Sequence, residues 1–62
     1  MKNYLHVRNI TEGRKLVNGK PSERIYRSEC YTNYKMSRRE FIAEATKENY
    51  DLTTVRFRSI RD

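Results

Sequence analysis

Leu16-Val17-Asn18-Gly19-Lys20-Pro21 is the stretch that organises this chain. Asn-Gly between two extended runs is a strong signal for a two-residue hairpin turn of the primed type. Both central residues of that turn need positive φ, which Asn and Gly tolerate. Counting outward from the turn fixes a register. Leu5 then faces Thr32, Val7 faces Cys30 and Asn9 faces Ser28 on one side of the ribbon. On the other side His6 meets Tyr31, Arg8 meets Glu29 and Ile10 meets Arg27. Small or apolar side chains gather on the first side, and an opposite-charge pair falls on the second, as a half-wet sheet requires. Gly13 reads as a bulge, and Pro21 demands an edge position because it has no N–H to give a ladder. The polar arm from about residue 12 to residue 24 is expected to be mobile.

Downstream, Met36-Ser37-Arg38-Arg39-Glu40-Phe41 announces a helix. The serine oxygen caps a free backbone N–H, and the glutamate three residues on reaches back to the serine N–H. Met36 and Phe41 occupy the two positions of a hydrophobic staple. Phe41, Ile42 and Ala45 form the buried stripe, and Asn49 is the expected left-handed stop. The run from Leu52 to Ile60 then reads as the last strand. Thr53, Val55 and Phe57 point one way along it, and Arg56 and Arg58 the other.

Strand, strand, helix, strand admits one economical arrangement. A helix crossing back over the sheet leaves the third strand parallel to the second, so it pairs antiparallel to the first. The expected fold is α+β, a ββαβ chain with a three-stranded antiparallel sheet in order 2-1-3 and one helix on its inner face. Residues 1–62 make a single small domain.

Composition narrows the function. At 62 residues with 35% hydrophobic and 35% charged content, the apolar core is small and stability falls at the low end of the normal range. Fourteen Lys and Arg against eight Asp and Glu give a net charge of +6. The helical segment is balanced, with Arg38, Arg39 and Lys47 against Glu40, Glu44 and Glu48. The excess therefore lies on the hairpin, the strands and the ends, which points to a negative partner. One cysteine and one histidine supply neither an internal disulfide nor a four-ligand zinc knuckle. Cys30 fits a reducing compartment, and no stretch approaches the roughly 18 apolar residues of a membrane span. The first residues lack the apolar run of a signal peptide, so a cytoplasmic location is expected.

The candidate binding surface is the outer sheet face, with Tyr4, His6, Arg8, Arg27, Tyr31, Arg56 and Arg58. Tyr and His rings stack on bases while Arg takes phosphates, or Arg forks onto the carboxylates of a protein. A solvated sheet face that serves only solubility has the same composition. Glu40, Glu44 and Glu48 read as a solvated helix flank. His6 and Cys30 fall on opposite faces and cannot form a nucleophile–base pair. The glycines fit no phosphate-loop spacing. No catalytic residue, cofactor or metal is expected.

Ser37 through Ala45, together with Thr54-Val55-Arg56, carry a resemblance to small phage-encoded host-takeover inhibitors. These include inhibitors of bacterial RNA polymerase and type I-F anti-CRISPR proteins. The likeness spans about residues 3–60 in architecture, and the chain departs from the polymerase inhibitor in being basic rather than acidic. It implies a non-enzymatic protein that blocks a larger host protein or nucleoprotein complex by occupying a surface. Two other readings stand beside it. One is a basic nucleic-acid binder using the same face. The other is a structural accessory protein stabilised by oligomerisation, for which a homodimer is the simplest form.

Overall fold

Positive φ at Asn18 (53°) and Gly19 (79°) confirms the primed turn in the computed structural model, which describes residues 6–61. The turn joins β1 (Val7–Val17) to β2 (Lys20–Thr32). Helix α1 (Arg38–Lys47) and strand β3 (Arg56–Arg61) follow. The sheet is antiparallel with order β2-β1-β3, the topology expected.

The register differs from the simple count. Val17 pairs Lys20 and Leu16 pairs Pro21, as the turn dictates. Beyond Lys15 the pairing slips by two residues, so that Arg14 faces Ile25. Lys15 alone spans Ser22, Glu23 and Arg24. This bulge sits two residues past Gly13, where it was expected. Its backbone groups are taken up locally. Arg14 Nη1 donates to the carbonyls of Ser22 and Glu23 at 2.8 Å each, and Ser22 Oγ accepts from Lys15 N at 3.2 Å. Val7 consequently faces Thr32 rather than Cys30, and Asn9 faces Cys30 rather than Ser28. Arg8 faces Tyr31 rather than Glu29, and Ile10 faces Glu29 rather than Arg27. A slip of two preserves the alternation, so every residue keeps its predicted face. The Leu5 pairing lies outside the described residues, and His6 sits one residue before β1. The arm expected to be mobile is extended strand up to the turn, interrupted only by the bulge at Lys15.

Gly13 has a different task from a bulge. A Cβ there would lie 2.9 Å from Val55 Cα and 3.2 Å from the Thr54 carbonyl oxygen. The residue lets the chain returning from the helix cross close to β1. That returning chain is not strand from Leu52 on, as expected, but a turn. Asp51 Oδ1 accepts from Thr53 N and Thr53 Oγ1, and Thr54 N donates to the Asp51 carbonyl. Pairing begins only at Arg56.

The helix forms as its sequence prescribes. Ser37 caps it, Glu40 N donates to Ser37 Oγ at 3.2 Å, and Ser37 N donates to Glu40 Oε1 at 3.0 Å. Asn49 stops it at φ 64°, with Tyr50 N donating to Ala45 O and Asn49 N to Thr46 O, the two bonds of a Schellman motif. Asn49 also joins the helix end to β1. Its Nδ2 donates to Leu16 O and its carbonyl accepts from Leu16 N, both at 2.8 Å.

Phe41 stacks on the half-buried Phe57 with centroids 4.7 Å apart, and Val7, Met36, Phe41, Ala45 and Tyr50 are buried between helix and sheet. Asn9, 1% exposed, lies in the middle of this layer. It donates to Cys30 O (3.0 Å) and Thr32 Oγ1 (2.8 Å), and accepts from Met36 N (3.1 Å) and Ser59 Oγ (2.7 Å). One amide thus links all three strands to the helix approach, with its hydrogen-bonding capacity filled.

Candidate binding surface

The outer face is built in cross-strand rows. From β2 through β1 to β3 they read Tyr31–Arg8–Ile60, Glu29–Ile10–Arg58 and Arg27–Glu12–Arg56. Arg8, Arg27, Tyr31, Arg56 and Arg58 are therefore brought onto one surface as expected. His6 is exposed at its margin, and Tyr4 lies outside the described residues.

Three features were not in the expected inventory. Ile10, on this face, is only 2% exposed. It sits between Glu29 and Arg58, so long side chains roof an apolar floor. Glu12 lies directly between two arginines. Ile60 and the half-exposed Ile25 add apolar area. The alternation of β1 carried the signal for Glu12 and Ile10, but their flanking partners depend on the bulge.

The two halves of the face differ in charge. On the β2 side Glu29 gathers the neighbouring donors. Arg27 Nε lies 3.3 Å from one oxygen, while Arg8 Nη1 at 3.9 Å and the Tyr31 hydroxyl at 3.0 Å approach the other. The expected Arg8–Glu29 contact thus survives as a diagonal one. On the β3 side Arg56 and Arg58, both exposed, join no ion pair among the described residues. Their guanidinium groups remain open to charge-assisted bonds with a partner.

The inner side offers a cleft of about 230 Å³ between α1 and β2, lined by Ser28, Cys30, Phe41, Glu44, Glu48 and Tyr50. Its polar groups are mostly paired with one another. Ser28 Oγ lies 2.7 Å from Tyr50 Oη, and Lys15 Nζ, held over the rings of Tyr26 and Tyr50, lies 3.9 Å from Glu48. Cys30 is half-buried there. Among the described residues no group of three His, Cys, Asp or Glu side chains could hold a metal ion. No helix among them is long and apolar enough to cross a membrane.

On the helix flank, Tyr34 Oη donates to Glu40 Oε2 at 2.8 Å. The Ser37 N–H and then this phenol hold the Glu40 carboxyl below its ordinary range. The same bond to Glu40 pushes the Tyr34 phenol up. Glu40 therefore serves the helix start. Comparison with family models, curated proteins and solved structures finds no match, and the functional reading rests on these residues.

Proposed function

We propose that this chain is a non-catalytic binding module that docks its outer sheet face on an acidic, partly apolar surface of a larger protein. A host-takeover inhibitor of the phage type, acting in a reducing cytoplasm, is the form this takes. The observation that carries the reading is the pattern on the face. Two unpaired arginines, Arg56 and Arg58, stand beside Glu12, Glu29 and the isoleucines 10 and 60. A phosphate backbone is uniformly negative, and carboxylates in the middle of its contact surface would repel it. A protein surface has charges of both signs and apolar area to match such a mosaic.

The test uses the immobilised chain, a bacterial lysate with and without nuclease, and random single-stranded oligonucleotides. A protein retained after nuclease treatment, lost from Arg56→Glu/Arg58→Glu and kept by Glu40→Lys/Glu44→Lys/Glu48→Lys, is the expected result. Glu12→Arg separates the partner classes. It weakens binding to a protein with a complementary cation and strengthens binding to an oligonucleotide. Retention abolished by nuclease, with oligonucleotide affinity raised by Glu12→Arg, would replace the protein reading with a nucleic-acid one.

A further inference from the structure

The free edge of β2 is self-complementary, and we propose that two copies of this chain pair through it. The inference is independent of the function proposed above. It begins with where the edge backbone points. Arg14 N donates to Thr54 Oγ1 and its carbonyl accepts from Asp51 N, so both groups face away from β2. The pair Arg14–Ile25 is therefore a non-hydrogen-bonded one, and the alternation of an antiparallel ladder does the rest. Ile25, Arg27, Glu29 and Tyr31 direct their N–H and C=O groups outward, toward the free edge. Among the described residues no backbone bond reaches them from that side.

The distal part of the same edge is treated differently. Arg14 covers the carbonyls of Ser22 and Glu23, Ser22 Oγ donates to Arg24 O, and Pro21 has no N–H. These devices blunt an edge against pairing. The stretch 25–31 has none of them, and the helix leaves it uncovered because the inner cleft separates α1 from β2.

A second copy sets opposite charges face to face along this stretch in one register. Centred on Ser28, an antiparallel pair sets Arg27 against Glu29 twice and Ile25 against Tyr31 twice. Each of these residues has its backbone groups turned to the partner, so each pair exchanges two hydrogen bonds. Ser28 meets Ser28 at the two-fold axis. Centring on Arg27 would set Arg27 against itself, and centring on Glu29 would set Glu29 against itself, both of which like charges oppose. Ile25 at 52% and Tyr31 at 48% exposure are among the most exposed large apolar residues described. This register covers each with the other. The product is a six-stranded sheet, β3-β1-β2-β2-β1-β3, with both helices on one side. A net charge of +6 per copy opposes association, so the pairing is weak and concentration-dependent.

Sedimentation equilibrium from about 1 µM to about 1 mM, a range that brackets weak association, reads the dimer directly. The native chain should pass from one to two chain masses. Arg27→Glu and Glu29→Arg should each weaken association by about tenfold or more, since each reverses two symmetric pairs. The double swap should restore it, because opposite charges face again. Circular dichroism checks the fold of each variant. Cross-linking fixes the register. Ser28→Cys in a Cys30→Ser background should form an interchain disulfide under mild oxidation. In the native chain the two Cys30 residues stand roughly 14 Å apart, from four residue rises, and should not cross-link. A chain that stays monomeric throughout would overturn the proposal. So would single reversals without effect, or faster cross-linking through Cys30 than through the thiol at position 28.

Discussion

Asn9→Ala should bring this domain close to unfolding, and the hydrogen bonds show why. The amide makes four contacts, to Cys30 O, Thr32 Oγ1, Met36 N and Ser59 Oγ. Losing them is not uniform in cost. Thr32 and Ser59 hydroxyls can turn to other partners, and Cys30 O keeps its ladder bond to β1. Met36 N–H is buried and has nowhere else to go, which costs about 1–3 kcal/mol. The three remaining bonds add about 0.5–1 kcal/mol each, for roughly 2.5–6 kcal/mol in total. A domain of this size holds about 3–9 kcal/mol at the usual stability per residue. Thermal unfolding followed by circular dichroism should show a fall of roughly 10–45 °C, at about 4–8 °C per kcal/mol for a chain this short. Asn9→Asp refines the test. It keeps one acceptor but aims a second oxygen at the Cys30 carbonyl in a buried layer, which raises the pKa of the introduced carboxyl in the folded state. A raised carboxyl favours the fold below the unfolded pKa and loses that benefit as pH rises, so this variant should recover stability toward acid pH. An Asn9→Ala protein melting within about 4 °C of the parent would refute the idea that this amide ties the layers together.

Gly13→Ala should destabilise by about 1–3 kcal/mol in urea titration, because the new Cβ meets the Val55 backbone, which cannot rotate aside as a side chain would. Ser37→Ala should cost about 0.5–2 kcal/mol, and an unchanged melting temperature would show the cap to be redundant. Glu40 has its folded pKa lowered, so its contribution is present above the unfolded carboxylate value and is lost as pH falls through the folded one. Glu40→Gln should flatten that part of the acid limb. Tyr34 is shifted upward, and its contribution is present below the unfolded phenol pKa and lost as alkaline pH rises through the folded value, a limb that Tyr34→Phe should remove.

The features legible in the sequence are those written in local chemistry. Asn18-Gly19, the Ser37–Glu40 box and Asn49 each specify their own backbone geometry within a few residues, and each is found in place. The strand order followed from connectivity. The bulge at Lys15 was hidden for a physical reason. A slip of two leaves the inside–outside pattern of β1 and β2 intact, so hydrophobic alternation carries no trace of it. Gly13 was misread because a glycine in a strand signals either a bulge or a close approach, and only the position of Val55 decides. Residues 52–54 were read as strand because Thr53, Thr54 and the following Val55 favour strands, while the Asp51 side chain that closes the turn acts through its own neighbours and overrides that preference. Ile10 was placed on the outer face opposite Arg27, and it is buried there. Its burial depends on the long side chains beside it, which no single-strand pattern shows.

The unequal charge of the outer face links the two proposed interactions. On the β2 half, Glu29 already draws in Arg8 and Arg27; on the β3 half, Arg56 and Arg58 stay open. Pairing through β2 edges brings the internally ion-paired halves together at the centre and leaves the open arginines at both ends. With five strand spacings between the two β3 strands, the arginine pairs stand roughly 24 Å apart on one side of the sheet. A partner with a repeated or extended acidic surface would engage both ends, so the second contact becomes intramolecular and weak single contacts add up to a stable complex. The two surfaces should also be separable. Arg56→Glu/Arg58→Glu lies far from the two-fold axis and should leave the dimer unchanged while it removes the partner. The Arg27→Glu/Glu29→Arg swap conserves complementarity at the edge and the net charge of the face. It also sets a carboxylate opposite Glu12 and a guanidinium beside Arg8, so circular dichroism must first confirm the fold; with the fold confirmed, it should leave both dimer and partner binding in place. A double swap that dimerises but no longer binds would mean that the β2 half, and not the open arginines, makes the essential contact.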